Sequence, residues 1–484
     1  MAIVYDTYQC EAPQRLPLLG SADPSRVLAR RNGKAVTAAQ FLAQVQAVAA
    51  GLPAATAAVN LCEDRYAFLV AFCAIVLRGQ TNLLPSSRAS QAVDEVMAAH
   101  PGCYALGEQA LDPVPPDYRQ LPPLDVMQPL DGAANWPMIP VDQVVAIGYT
   151  SGSTGTPSAN EKTWGSFHAS NAGNLAMLQA AIGPQFEIVA TVPPQHMYGM
   201  EMSVLLPLLG EVGVHSGRPL FPADVAAALA EVPAPRLLVT TPVHLRALVE
   251  SGIALPPIAA MLSATAPLPV ELAQAAEQRF GAPVLEVFGS TETCVFASRR
   301  PAVDEDWSLY DKVTLHPQPD GTAVEAPQLD ASITLADIVS LSEGGRRFRL
   351  RGRHADMLEI AGKRASLADL SRRLLAVPGV QDGVVFQLDG GDALGVHRIA
   401  ALAVAPGLDE HMILAALRRG IDPLFLPRPL RLVHALPRNE TGKLPRAALL
   451  ELLYRPTGLG ERAATAATMR DCAAWRVMYP EGKG

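Results

Sequence analysis

VVAIGYTSGSTGTP, Val144 to Pro157, is the stretch on which the reading of the chain turns. Its first half, VVAIGYT, is β-branched and apolar, the pattern of a buried strand, and it stops at a cluster of Gly, Ser and Thr. Glycines let successive backbone amides turn toward an anion, and four side chains there (Thr150, Ser151, Ser153, Thr154) add hydroxyl donors. With Gly152 and Gly155 between them, these residues read as a phosphate cradle delivered by a strand. It is not a Walker A loop, because no Gly-Lys-Ser/Thr ending follows. A Gly/Ser-rich turn with no ligand has the same composition, so the loop does not settle function alone.

Outward from that loop, short apolar runs alternate with helical patterns. EIVATV (187–192), PRLLVTT (235–241) and PVLEVFG (283–289) read as strands, whereas PADVAAALAEV (222–232) and PVELAQAAEQRF (269–280) read as helices. VTAAQFLAQVQAVAAGL (36–52) and YAFLVAFCAIVLR (66–78) are further helices. The alternation predicts an α/β fold, a large layered N-terminal body. At 484 residues the chain exceeds one ordinary core. Glycine and arginine concentrate in SEGGRRFRLRGRHAD (342–356), which places a boundary at Arg353. The expected domains are 1–352, a small mobile α+β domain over 353–454, and a tail over 455–484 without periodicity. In the small domain LADLSRRLLAV and HMILAALRRGI read as helices, GVVFQL and RIAALAV as strands.

The composition, 49% hydrophobic and 18% charged, is globular, and no apolar run reaches the roughly 18 to 20 residues of a membrane span. The first twenty residues show no basic stretch followed by an apolar one, so no secretory signal is expected. Six cysteines are scattered with no CxxC pair, which suits free thiols in a reducing cytoplasm. The net charge of −8 hides an asymmetry. Residues 1–345 hold 17 Lys+Arg against 33 Asp+Glu, net −16, whereas residues 346–446 hold 17 against 10, net +7. A basic lobe on an acidic protein attracts nucleotides, an acidic partner protein or nucleic acid. Nucleic acid is discounted, since no stacking aromatics lie among those arginines.

The 150–157 loop resembles the signature loop of the adenylate-forming superfamily: acyl-CoA synthetases, aryl-acid ligases, luciferases and peptide-synthetase adenylation domains. Further segments resemble that family in order, from about Val141 to Arg446. PPQHMYG (193–199) is similar to one wall of the family's acyl pocket, which implies that His196 and Tyr198 touch the acid. Amino-acid-activating relatives carry an Asp in this segment to pair with the substrate ammonium, and this chain has none; a free α-amine is disfavoured because a buried cation needs a partner. SATAPL (263–268) resembles the small-residue turn between adenine and acyl group, which implies Ser263, Ala264 and Thr265. VFGSTET (287–293) resembles the aromatic-Gly-x-Thr-Glu motif. The likeness implies that Phe288, Gly289 and Ser290 line the nucleotide, that Thr291 bonds the α-phosphate beside the acid, and that Glu292, with Thr150, holds Mg²⁺.

Around the boundary, Asp337 stands where the family has a ribose-binding Asp, although Leu335-Ala336 replaces the usual Thr-Gly. Arg353 matches the arginine before the second domain, and Arg364 another near the interdomain face. Relatives place an Asp or Lys pivot two positions after that arginine; here Ala355 occupies the place and Asp356 follows, so the hinge is Arg353, Ala355 and Asp356. LPRNETGKLPR (436–446) resembles the C-terminal lysine loop, which implies that the Lys443 ammonium stabilises charge building on the α-phosphate. The family loop normally ends in Pro-Lys, but Ser158 follows Pro157 here; Lys162, from a longer loop, is the candidate replacement at the outgoing phosphates.

The resemblance implies ATP and Mg²⁺ as cofactors, a small carboxylic acid as substrate, and a thiol acceptor: coenzyme A or the phosphopantetheine of an acyl carrier protein. The variants TSGSTGTP followed by KTWG, and PPQHMYGME, look like hydroxybenzoate ligases of aryl-polyene (xanthomonadin-type) pigment pathways, which favours an aryl acid and an acidic carrier protein. A member that binds AMP or acyl ligand without turnover is the contrasting reading. Ser158 and Ala355 lean toward it; Lys443, Glu292, Thr291 and Arg353 lean away.

Overall fold

The apolar run that opens the signature segment is a strand at the predicted residues, Val144–Thr150, because buried β-branched side chains favour extended backbone and the Gly/Ser cluster ends it. The computed structural model describes residues 14–124, 136–150, 158–319, 321–353, 357–360, 363–391, 397–419, 421, 423–439 and 442–455. Ser151, Gly152, Ser153, Thr154 and Gly155, the hinge residues Ala355 and Asp356, and the tail beyond Arg455 lie outside the described residues.

The chain forms two compact units, Met1–Ala355 and Asp356–Gly484. In the first, Val144–Thr150 belongs to a six-stranded sheet, parallel to Thr81–Leu84 on one side and antiparallel to Ser158–Thr163 on the other. An eleven-stranded sheet carries the rest. At its centre Gly213–His215, Glu187–Ala190, Arg236–Thr240, Ala260–Ser263 and Val284–Ser290 run parallel in that spatial sequence. Ala260–Ser263 is buried throughout, and only Arg236 of Arg236–Thr240 is not, as expected of strands covered on both faces. Ala38–Gly51 and Arg65–Leu77 are the predicted N-terminal helices. Thr37 starts the first with a capping box to Gln40, and Asp64 starts the second by accepting from Ala67 N. Nearly every side chain of Arg65–Leu77 is buried, so it is a core helix and not an amphipathic one.

Two elements depart from the sequence reading. Lys162, expected on an extended phosphate loop, stands in the Ser158–Thr163 strand, with Ser158 opposite Thr150 and Lys162 opposite Ala146. Backbone pairing overrides the weak strand propensity of SANEKT. The segment after HMYG is a π-helix, Glu201–Leu205, wedged between helical turns Met197–Met200 and Leu206–Leu209. Such insertions concentrate at functional sites.

The second unit pairs Asp382–Gly391 antiparallel with His397–Val404, which runs parallel to Leu430–Leu432. Helices Leu367–Leu375 and Glu410–Leu417 close a core of Leu370, Leu374, Ile399, Ala401, Ile413 and Leu430. No helix of the described residues is long and apolar enough to cross a membrane.

Candidate active site

Three of the segments singled out in the sequence leave the carboxyl ends of parallel strands in the centre of the large sheet. PPQHMYG follows Glu187–Ala190, SATAPL begins at the last residue of Ala260–Ser263, and FGSTE begins within Val284–Ser290. Open α/β sheets bind ligands in this crevice. The strand that enters the phosphate loop closes it: a Cβ on Gly148 would stand 2.9 Å from Thr291 Cγ2 and 3.2 Å from Met197 Cε. Glycine at 148 therefore lets this strand pack closely against the segments that carry Thr291 and Met197.

The FGSTE turn is held from several sides. Ser290 N donates to Thr293 Oγ1 at 3.1 Å and Thr293 N to Ser290 Oγ at 3.2 Å. Gln328 Nε2 donates to Thr293 O at 3.1 Å, and Lys162 Nζ to Glu292 O at 2.6 Å. Gly289 admits no side chain, since a Cβ would lie 2.2 Å from Cys294 O. Cys294 itself sits at φ +58°, a strained conformation for a residue with a side chain. Phe288 packs against Phe296, Trp307 and Phe348 at centroid distances of 5.4, 5.3 and 5.8 Å. That cluster fixes the ring while leaving Gly289 exposed.

The SATAPL turn shows the opposite condition. Thr265 adopts φ +80°, an outlier for a β-branched residue, and its Oγ1 is buried with no hydrogen-bond partner among the described residues. Ser263 Oγ is buried and unpartnered in the same way. Buried hydroxyls are normally satisfied, which sets this pair apart from the well-bonded FGSTE turn. The far end of the turn is anchored: Leu268 N donates at 3.0 Å to Glu286, whose carboxylate is paired with Arg299 at 2.7 Å.

His196 and Tyr198 lie in the same crevice with different duties. His196 is half-buried and its Nδ1 accepts from Tyr198 N at 3.3 Å, capping the Met197–Met200 turn. Tyr198 is buried and its hydroxyl donates to Leu262 O at 2.8 Å, tying PPQHMYG to the strand that ends at Ser263. Burial pushes that phenol well above its ordinary value. Its hydroxyl is spent on the protein, so at a substrate Tyr198 offers its ring. Arg65, fully buried and pushed down to about 9 by desolvation, donates to Ala190 O and Val192 O at 2.9 Å and so holds the entry to the segment.

Behind the crevice lies a buried carboxylate that sequence reasoning missed. Glu201, 1% exposed, accepts from Ser170 Oγ, from Asn174 Nδ2 at 3.2 Å and from Val295 N at 3.1 Å. Desolvation raises its pKa, opposed by these donors and by Lys162. The signal was present: a lone acid in the apolar run YGMEMSVLLPLL.

The remaining candidates stand on other elements of the two units. Asp337 is the direct cross-strand partner of Arg353 at the edge of the large sheet, and Thr322 Oγ1 donates to its carbonyl at 2.6 Å. In the second unit, Arg364 pairs in register with Glu359. Lys443 is exposed on a closed loop: Lys443 N donates to Asn439 Oδ1 at 2.8 Å, Asn439 N to Lys443 O at 2.9 Å, and Gly442 turns at φ +80°. Arg438 clamps that loop, donating to Gly442 O at 2.8 Å and to both oxygens of Asp382 at 2.7 and 3.0 Å.

The family model described as AMP-binding enzyme matches residues 21–324, and the chain belongs to that family. It is 30% identical over 299 residues to a 4-coumarate–CoA ligase of Rhodobacter capsulatus, covering 62% of this chain and 74% of that protein. It is 26% identical to a 3-hydroxybenzoate–CoA/4-hydroxybenzoate–CoA ligase of Thauera aromatica over 45% of this chain and 49% of that one. Its fold matches o-succinylbenzoate CoA synthetase from Bacillus subtilis, in complex with its acyl-adenylate intermediate, with a TM-score of 0.76 and 17% identity over 93% of this chain and 100% of the other. The chain is thus an acid–thiol ligase that works by ATP-dependent adenylation.

Proposed function

We propose that this enzyme activates a small aryl acid, of the hydroxybenzoate type, to an acyl-adenylate and transfers the acyl group to the phosphopantetheine thiol of an acidic acyl carrier protein. The observation that carries the nucleotide part is the pair of hydroxyls Ser263 Oγ and Thr265 Oγ1, buried without a partner among the described residues at the carboxyl end of strand Ala260–Ser263. The aryl part is supported by the coumarate and hydroxybenzoate relatives and by the small residues Ala264 and Gly289. The nearby acid Glu201 is already bonded by three protein donors and is not offered to a substrate ammonium.

In the first half-reaction a carboxylate oxygen attacks the α-phosphorus, the bond to the β-phosphate bridging oxygen breaks, and pyrophosphate leaves. Thr291 donates to the α-phosphate, the Thr150–Gly155 loop and Asp337 and Arg353 hold phosphates and ribose, and the Lys443 ammonium stabilises charge on the nonbridging oxygens. Glu292 with Thr150 would hold Mg²⁺, which when bound would supply positive charge at the leaving phosphates. In the second, the thiol sulfur attacks the carbonyl carbon, the bond to AMP oxygen breaks, and the thiol proton passes to solvent; rotation about Arg353 to Asp356 exchanges the two arrangements. Excluding water protects the mixed anhydride between steps.

Net +7 over residues 346–446 would steer an acidic carrier protein to this lobe, and coenzyme A phosphates equally. Coenzyme A is the second reading, favoured by the relatives named above. A thioester assay crossing hydroxybenzoates, cinnamates and fatty acids with carrier protein and coenzyme A separates them. Hydroxybenzoate-dependent pyrophosphate release with thioester on the carrier protein is expected; thioester on coenzyme A alone removes the carrier, and no acid-dependent release removes the reading.

A further inference from the structure

Lys162 presents a puzzle of its own. It is 5% exposed, and an ammonium taken out of water is costly unless hydrogen-bonded and charge-compensated. Both conditions are met at one place. Its Nζ makes a short, charge-assisted bond of 2.6 Å to Glu292 O, and the buried Glu201 carboxylate lies within electrostatic reach of it. Glu201 in turn accepts from Val295 N, three residues past Glu292, at 3.1 Å. A buried cation and a buried anion therefore grip the backbone of one short turn, one on a carbonyl and the other on an amide.

The lysine comes from the strand by which the chain leaves the phosphate loop, opposite Ala146 of the strand that enters it. It thus ties the strand Ser158–Thr163 to the turn that bears Thr291 and Glu292. Its reach to Glu292 O keeps it from serving as an exposed loop cation.

We infer that Lys162 is a positioning residue for magnesium binding: it aims the Glu292 carboxylate by fixing the Glu292 carbonyl, and couples that turn to the strand Ser158–Thr163. This rests on the reading of Glu292 as the Mg²⁺ ligand. Residues that orient a metal ligand without touching the metal are typically worth about 10- to 100-fold in metal affinity or activity.

The test uses the full chain and two readouts, the rise in melting temperature on adding ATP with Mg²⁺ or with chelator, and the Mg²⁺ concentration giving half-maximal pyrophosphate release. Lys162→Met, of similar length but neutral, is expected to keep the rise with ATP and chelator, to lose the further rise that Mg²⁺ brings, and to need about 10- to 100-fold more Mg²⁺. Lys162→Arg keeps the charge and a donor while displacing the donor atom; it is expected to fold and to fall between the two, and carries the test should the Met variant not fold. A parental Mg²⁺ requirement in both variants overturns the inference. So does an equal loss of the ATP response with and without Mg²⁺, which makes Lys162 a general structural residue. A parental chain with no ATP response at all removes the adenylation reading instead.

Discussion

Two regions around the crevice handle polar groups in opposite ways. Behind it, Lys162, Glu201 and Tyr198 are buried and each is matched to protein partners: Glu292 O, three donors, and Leu262 O. At the SATAPL turn, Ser263 and Thr265 keep buried hydroxyls without partners among the described residues, and Thr265 is held at φ +80°. The first region has closed on itself and sets position. The second carries a cost in strain and desolvation that no partner among the described residues offsets. In the second unit the backbone of exposed Lys443 is held by Arg438 and Asn439.

The contrast can be broken by substitution. Lys443→Ala should leave melting temperature unchanged and slow acyl-adenylate formation by about 10²- to 10³-fold, with thioester formation from supplied acyl-adenylate spared, as single-turnover quenching would show. Tyr198→Phe should do the reverse, lowering stability by about 1–3 kcal/mol through the unsatisfied Leu262 carbonyl while the acid KM stays near parental; a raised KM with unchanged stability would place the hydroxyl at the substrate. Thr265→Gly relieves a left-handed β-branched residue and should raise stability by about 1 kcal/mol in denaturant unfolding while weakening ATP binding. The smallest effect concerns pH. Burial raises the Glu201 pKa above its ordinary 4.5, so above that value the folded state holds a proton that the unfolded state has lost. Stability contributed at this site therefore falls as pH rises through that window. Glu201→Gln, which can keep an acceptor for Ser170 and Asn174, should gain relative to the parent as pH rises from 4.5, measured by melting temperature against pH.

How much of this was legible in the sequence follows from the range of the interactions. Strands such as Val144–Thr150 and Arg236–Thr240 were readable because apolar runs ending in turn residues are local signals. PPQHMYG, SATAPL and VFGSTET were readable as neighbours only through resemblance, and the structure sets them at one end of the same sheet, the last two on adjacent strands and the first beyond Arg236–Thr240. Lys162 and Glu201 were misread or missed because what defines them lies far along the chain: Glu292 is 130 residues from Lys162, and Val295 is 94 from Glu201. The left-handed Thr265 gave no warning, since Gly or Asn would be the usual sign of that backbone. The π-helix after HMYG is likewise silent in periodicity, because an inserted residue shifts the pattern without erasing it.

The central claim is that the SATAPL turn is the nucleotide site. A structure of this chain with ATP and Mg²⁺ tests it most directly. The expected result is an α-phosphate against Thr291, with the nucleotide lying over Ser263 to Thr265 and taking up their hydroxyls. Nucleotide bound elsewhere, with both hydroxyls still unpartnered, would contradict it.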